Sequence, residues 1–234
     1  MKISIQRESI VKYEVEDGDK TLLSVLNEIK KTQDSSLTYA SGCRSGVCGS
    51  CSMRVNGKEV LACSYKVKNK DHIEPLKNVP VIRDLVVDMD KAYGFNKTAK
   101  AWQTEISNGV LLSPENEKIN ELQSDCILCG SCYSACPVYS VNAEFLGPFS
   151  LTRVWKYVSD KRENEEKEKI DTIQTNGVWD CTLCNECTIV CPQEISSKSD
   201  IEKLRSKSAM AGYSDPNFAS SFGGGFGFDG SPSF

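Results

Sequence analysis

Twelve cysteines in a chain of 234 residues, all of them falling into three spaced groups, constrain this sequence more than any other feature. Cys43, Cys48 and Cys51 stand as C-x4-C-x2-C, with Cys63 twelve residues further on. Cys126, Cys129, Cys132 and Cys136 read CILCGSCYSACP, and Cys181, Cys184, Cys187 and Cys191 read CTLCNECTIVCP. A disulfide framework is the habit of small secreted domains. The opening residues, MKISIQRESIVKYEVEDG, have neither an apolar h-region nor a small-residue cleavage site, so no secretory signal is expected. Metal coordination by thiolates is the reading that remains. With His72 as the single histidine, the chain lacks the material for a Rieske centre or an HExxH zinc site. His72 itself, in KDHIEPL, reads as a solvent-exposed strand residue without a role.

The first group has the plant-type [2Fe–2S] spacing, with Cys43, Cys48, Cys51 and Cys63 as the four ligands. Gly42, Gly46 and Gly49 let the backbone wind tightly and aim N–H groups at sulfur. Zinc is the alternative, but zinc knuckles pair their cysteines more closely, and the four-residue gap with its glycines fits them worse. The other two groups each have the C-x2-C-x2-C-x3-C-P run of bacterial ferredoxins, in which the fourth cysteine ligates the other cluster. One [4Fe–4S] cluster is therefore expected on Cys126, Cys129, Cys132 and Cys191, and a second on Cys136, Cys181, Cys184 and Cys187. A [3Fe–4S] cluster beside a free Cys184 is the alternative for the second. Pro137 and Pro192 turn the chain after each fourth cysteine. Four ligands to each of three clusters use every cysteine, which describes a one-electron wire and assigns no catalytic residue. Gly225, Gly227 and Gly230 formally satisfy GxGxxG, but no strand precedes them, so a dinucleotide site is not expected.

Lys plus Arg number 28 against 32 Asp plus Glu, net −4, so no nucleic-acid partner is expected. Apolar runs are only a few residues long, far short of the roughly 18 that span a bilayer. The pattern divides into residues 1–96, 97–212 and a tail, 213–234. In the first part KISIQR and VKYEV alternate as strands, and TLLSVLNEIKK has a helical period. Asn56-Gly57 marks a hairpin over 51–63, HIEPL a short strand, and VIRDLVVDMDKA a helix over about 81–92. This predicts a small mixed sheet wrapped over one helix. The second part reads as all-helical, with Ser113-Pro114-Glu115 opening a helix through NEKINELQ and DKRENEEKEKID a solvated helix face. The tail, SFGGGFGFDGSPSF, cannot bury a core; Phe218, Phe222, Phe226, Phe228 and Phe234 either anchor it in a partner's groove or leave it disordered. The fold class is α+β.

The order of motifs, with SGCRSGVCGSCSMRVNG and VPVIRDLVVDMD besides the cysteines, resembles the iron–sulfur subunit of succinate dehydrogenase and fumarate reductase over residues 1 to about 205. The resemblance implies a β-grasp [2Fe–2S] domain and a helical domain with two clusters. It also implies a flavoprotein partner that carries FAD and the dicarboxylate site, and a membrane-side partner linked to quinone. Commoner members of that family bind [3Fe–4S] through three cysteines, with an aliphatic residue where Cys184 stands. They also carry a tryptophan after the first Cys-Pro, where this chain has Val138, Tyr139, Ser140 and Val141, and a histidine where it has Thr182. These departures resemble a branch with a second [4Fe–4S] cluster and a cysteine-rich, heterodisulfide-reductase-like membrane-side subunit, so that quinone is met only indirectly. A peripheral position on the cytoplasmic side, or export as a passenger of the flavoprotein, follows from the same likeness. Service to another flavin-dependent dehydrogenase and a free ferredoxin-like carrier are the alternatives.

Overall fold

The structure, a computed structural model, describes residues 1–104 and 110–216. The Phe-bearing tail from residue 217 and its GxGxxG lie outside the described residues. Two antiparallel strands open the chain, β1 (Lys2–Gln6) and β2 (Ile10–Glu14). Helix α1 (Leu22–Thr32) follows, capped by Thr21, whose hydroxyl accepts from Ser24 N. Leu22, Val25, Leu26 and Ile29 recur at helical spacing and are all buried. Strands β3 (Ser52–Val55) and β4 (Lys58–Leu61) form the expected hairpin, with Asn56 at φ 51° and Gly57 at φ 81°, the left-handed pair that a type I′ turn requires. Strand β5 (His72–Glu74) then runs parallel to β1 and antiparallel to β3, giving the order β2-β1-β5-β3-β4. Ile3, Ile5, Met53, Val55 and Ile73 of this sheet share one core with α1, the small mixed sheet over one helix that the pattern anticipates and the β-grasp arrangement that the resemblance implies. His72 is half-buried in β5 and pairs with Ser4 Oγ across 2.9 Å, a structural role.

The helix expected over 81–92 is not formed. Val81–Arg83 (β6) and Val86–Val87 (β7) make a two-stranded ribbon, and helix α2 begins only at Asp90 and runs to Thr98. The reason is tertiary. Asp84, at φ 49°, accepts from Thr38 N and from the Arg7 guanidinium, and Leu85 N donates to Thr38 O, so distant partners fix a turn where the local period suggests a helix. Ala92 and Phe95 pack into the second core, so a division after residue 96 cuts through α2.

That second core lies among short helices: α3 (Pro114–Glu117), α4 (Glu121–Ser124), α5 (Ser131–Ser134), α6 (Pro137–Val141), α7 (Pro148–Val158), α8 (Glu166–Thr172), α9 (Glu186–Ile189) and α10 (Ser197–Met210). The single helix expected through NEKINELQ breaks in two because Asn120 turns its amide to Lys156 O of α7, 2.9 Å away. Ser113 caps α3 as expected. The expected solvated face of DKRENEEKEKID is also corrected: the Lys169 and Glu163 side chains have no exposed surface and pair at 3.3 Å, with Lys169 Nζ also donating to Thr104 Oγ1. An ion pair is the form in which such charges tolerate burial. Tyr133 is fully buried and donates its hydroxyl proton to Leu146 O, and a Cβ on Gly147, at φ 80°, would overlap its ring.

Asp200 of α10 is buried as well. Its Oδ1 accepts from Gln123 Nε2 at 2.9 Å, its Oδ2 makes no close hydrogen bond among the described residues though the Thr152 side chain stands near, and Lys203 lies 3.8 Å away. Burial raises its pKa from 3.8 to about 6. A carboxyl raised in this way holds its proton more tightly in the folded chain, so this group's own contribution to stability is fully present below about pH 4 and is lost as pH rises through 6. A rise of that size corresponds to about 3 kcal/mol once both states are ionised. Asp200→Asn is expected to stabilise the protein by about 1–3 kcal/mol at pH 8 and to change little at pH 4, as read by urea unfolding at the two pH values. Equal effects at both would show that the charge is not the cause.

Candidate metal centres

Cys43, Cys48 and Cys51 sit on the loop between α1 and β3, and Cys63 follows β4. Arg44, Gly46 and Gly49 take φ of 63°, 80° and 70°, which winds the loop round its own sulfurs. Ser45 N and Val47 N donate to Cys43 Sγ at 3.3 and 3.4 Å, and Cys43 N donates to Cys48 Sγ at 3.3 Å. The Ser45 N–H and hydroxyl, with the Val47 N–H, hold the Cys43 thiol down at about 6, so this loop stabilises negative charge on sulfur. Gly42 is bare for a different reason, since a Cβ there would come within 2.9 Å of Cys48 Sγ. Cys51 is buried, and desolvation pushes its thiol up to about 11.

The two C-x2-C-x2-C segments repeat one backbone. Leu128 and Leu183 take φ of 53° and 56°, Gly130 and Asn185 take 80° and 72°, and a short helix carrying the third cysteine follows each. A left-handed leucine is uncommon and strained, and its occurrence at both equivalent positions marks a shape the fold imposes. Leu183 N donates to Cys181 Sγ at 3.4 Å and Tyr139 N to Cys136 Sγ at 3.4 Å, so Cys136 also caps α6.

These repeats enclose two hollows. One, partly open to solvent, is lined by Cys126, Cys129, Cys132 and Cys191 with Phe149, Thr152 and Ile195. The other is lined by Cys136, Cys181, Cys184 and Cys187 with Phe145, Pro148 and Thr182. Each hollow thus receives three cysteines from one run and the fourth from the other. Among the described residues no three His, Cys, Asp or Glu converge as a site for a single metal ion; the sulfurs surround a space instead. Burial pushes the Cys187 thiol up to about 12 and the Cys132 thiol well above its ordinary value. Such sulfurs become thiolate only beside compensating cations. Four soft donors around a space of this kind fit a multi-iron cluster.

The first loop meets the second directly. A Cβ on Gly49 would lie 2.8 Å from Cys129 Cα and Cβ, Ser52 Oγ is 2.9 Å from Ser131 Oγ, and Gln193 Nε2 donates to Gly46 O at 3.2 Å. Asn78 Nδ2 reaches Tyr133 O, Ser134 O and Cys136 O at the end of α5, and Ser134 Oγ donates to Glu59 at 2.7 Å. Sequence reasoning missed these contacts; Ser52 and Ser131 carry only the signal of adjoining Cys51 and lying between Cys129 and Cys132. The ends of the series are open: Cys43 and Cys184 are exposed, Val47 stands beside the first, and Val141 and Ile189 flank α6 and α9 at 86% and 69% exposure.

Two family descriptions match the chain, a 2Fe-2S iron-sulfur cluster binding domain over residues 2–94 and a 4Fe-4S dicluster domain over 122–195. The fumarate reductase iron-sulfur subunit of Haemophilus influenzae is 35% identical over 214 residues, covering 82% of this chain and 83% of that one. The 8-methylmenaquinol:fumarate reductase iron-sulfur subunit of Wolinella succinogenes is 39% identical over 201 residues, 80% of this chain; the chain spans 63% of that relative's length. In fold, the chain is similar to one in the Mycobacterium smegmatis Sdh1 complex in the apo form, with a TM-score of 0.81, 23% identity, and coverage of 92% of this chain and 98% of that one.

Proposed function

The chain belongs to the family of iron–sulfur subunits of succinate dehydrogenase and fumarate reductase, and from that membership we propose that it passes electrons between a FAD-bearing flavoprotein and a membrane-side subunit, through three clusters held by its twelve cysteines. The observation that carries this reading is the pair of hollows, each lined by four cysteines drawn from both runs, with the first loop packed on Cys129. Bound there, [2Fe–2S] and two [4Fe–4S] clusters would supply one-electron steps. The chain's own part is to place them. Cys43, Cys48, Cys51 and Cys63 hold the first; Cys126, Cys129, Cys132 and Cys191 the second; Cys136, Cys181, Cys184 and Cys187 the third. Backbone N–H groups at Ser45 and Val47 offset the negative charge at Cys43, while Phe149 and Ile195 give the middle hollow part of an apolar wall.

The exposed ends support one placement of the partners. The flavoprotein docks over the loop with Cys43, Arg44, Ser45, Gly46 and Val47, and the membrane-side subunit over α6 and α9 beside Cys184. Cys184 brings a fourth thiolate to the outer site. Its negative charge disfavours the reduced state and lowers the potential relative to a three-iron centre, which suits a low-potential quinone or a cysteine-rich, thiol–disulfide partner. Among the described residues no helix is long and apolar enough to cross a membrane. The chain's place in this reading is peripheral, on the cytoplasmic side.

The test is purification of the intact complex. Succinate is expected to bleach the cluster absorbance and fumarate to restore it. Crosslinks from the flavoprotein are expected at residues 40–65, and those from the membrane-side subunit at 138–141 and 182–189. Flavoprotein crosslinks confined to the second set would reverse the orientation. Turnover of another substrate, with none of succinate or fumarate, would assign the chain to a different flavin-dependent dehydrogenase.

A further inference from the structure

Ser52 and Ser131 stand 79 residues apart in sequence, yet their hydroxyls meet at 2.9 Å in a buried seam, at 8% and 1% residue exposure. Ser52 follows Cys51 on β3, and Ser131 opens α5 between Cys129 and Cys132. The Ser131 hydroxyl also lies 3.4 Å from Cys129 Sγ. Among the described residues the hydroxyls bond to each other and Ser131 to that sulfur, while the Ser52 side chain also bears, more weakly, on Cys129.

Proton counting favours one direction. Each hydroxyl has one proton, and a sulfur bonded to iron has none, so it only accepts. If Ser131 donates to Ser52, the sulfur loses the nearer Ser131 proton and the Ser52 proton is left only its weaker approach to Cys129, a poorer arrangement in a buried site. If Ser52 donates to Ser131 and Ser131 to Cys129 Sγ, both protons are used and the bonds reinforce one another.

We propose that Ser52 and Ser131 form a directed hydroxyl relay from the first domain onto Cys129 Sγ, which raises the reduction potential of the middle cluster. The inference rests on Cys129 being a ligand of that cluster. A bond donated to a ligating sulfur favours the more negative, reduced state. Ser131 acts on the ligand directly. Ser52 is a positioning residue that acts chiefly through Ser131, so the middle cluster's potential depends on the docking of one domain against the other.

The purified complex is titrated anaerobically, following the reduced middle cluster by EPR, after each variant's iron content and EPR inventory match wild type. Ser131→Ala is expected to lower the one-electron reduction constant about tenfold, a 59 mV fall in potential. Ser52→Ala is expected to lower it by a smaller factor, and Ser131→Thr, which keeps a hydroxyl, to stay closer to wild type than Ser131→Ala. Because Ser52 works chiefly through Ser131, the double variant is expected to lie closer to Ser131→Ala alone than to the sum of the two single shifts. Additive shifts, an unchanged potential in Ser131→Ala, or equal shifts of all three clusters would overturn the relay. If Ser131→Ala fails to load its clusters, Ser52→Ala, which lies outside both cubane runs, decides: no shift of the middle cluster overturns the proposal. Cys129→Ala examines the underlying reading separately, since persistence of the middle cluster's signal would remove Cys129 as a ligand and the relay with it.

Discussion

Cys136→Ala is expected to lose the same cluster as Cys187→Ala, although Cys136 stands in the run with Cys132. Cys191→Ala is expected to lose the same cluster as Cys132→Ala. Each single substitution should lower the iron content by about four atoms, the size of a cubane. The EPR spectrum of the reduced Cys136 variant should then overlay that of the Cys187 variant and not that of the Cys132 variant. The physical ground is the lining of the two hollows, in which Cys136 faces Cys181, Cys184 and Cys187, while Cys191 faces Cys126, Cys129 and Cys132. Cys136 also caps α6 through its sulfur, but losing a cap costs about 0.5–2 kcal/mol, too little to explain loss of a whole cluster. Spectra that group the variants by sequence run would contradict the exchange of fourth ligands.

Lys169→Met should destabilise the protein by about 3–5 kcal/mol in urea unfolding, because it leaves the Glu163 carboxylate buried without its cation. The pair ties α8 to the segment that ends the first described stretch: Lys169 donates to Thr104 Oγ1, and Thr104 N donates to Glu163 at 3.2 Å. Glu163 also accepts from Glu165 N at 2.9 Å, so its oxygens remain hydrogen-bonded when the lysine is gone and only the charge is stranded. The double variant Lys169→Met with Glu163→Gln removes both charges and is expected to recover more than half of the loss. A loss below about 1 kcal/mol in the single variant would mean that water reaches the pair.

Much of what is legible in this sequence is set by near neighbours in the chain. Cysteine spacing marks three runs, and the structure gathers the cysteines of the last two round two hollows with their fourth members exchanged; Asn56-Gly57 names a hairpin because only certain residues adopt its backbone readily. The errors lie where distant groups decide. Val81–Val87 has a helical period, but Thr38 and Arg7 hold Asp84 in a turn. Asn120 breaks a helix by reaching α7, and Lys169 disappears into a charge run that reads as solvated. The seam between the domains is equally hidden. Nothing in GCRSGVCGSC states that Gly49 must be bare because Cys129 lies against it, and nothing in CGSC states that Ser131 faces Ser52.

The number of irons at the outer site tests the three-cluster wire most sharply, because Cys184 is exposed at the end of the series while its three companions are more enclosed. The decisive measurement is iron analysis with EPR on the complex, purified and kept without air, in its oxidised state. About ten irons for each copy of this chain and no [3Fe–4S] signal are expected in the wild type. Cys184→Ile is expected to create that signal and to lower the count to about nine. A strong [3Fe–4S] signal with about nine irons in the air-protected wild type would contradict a fourth ligand at Cys184.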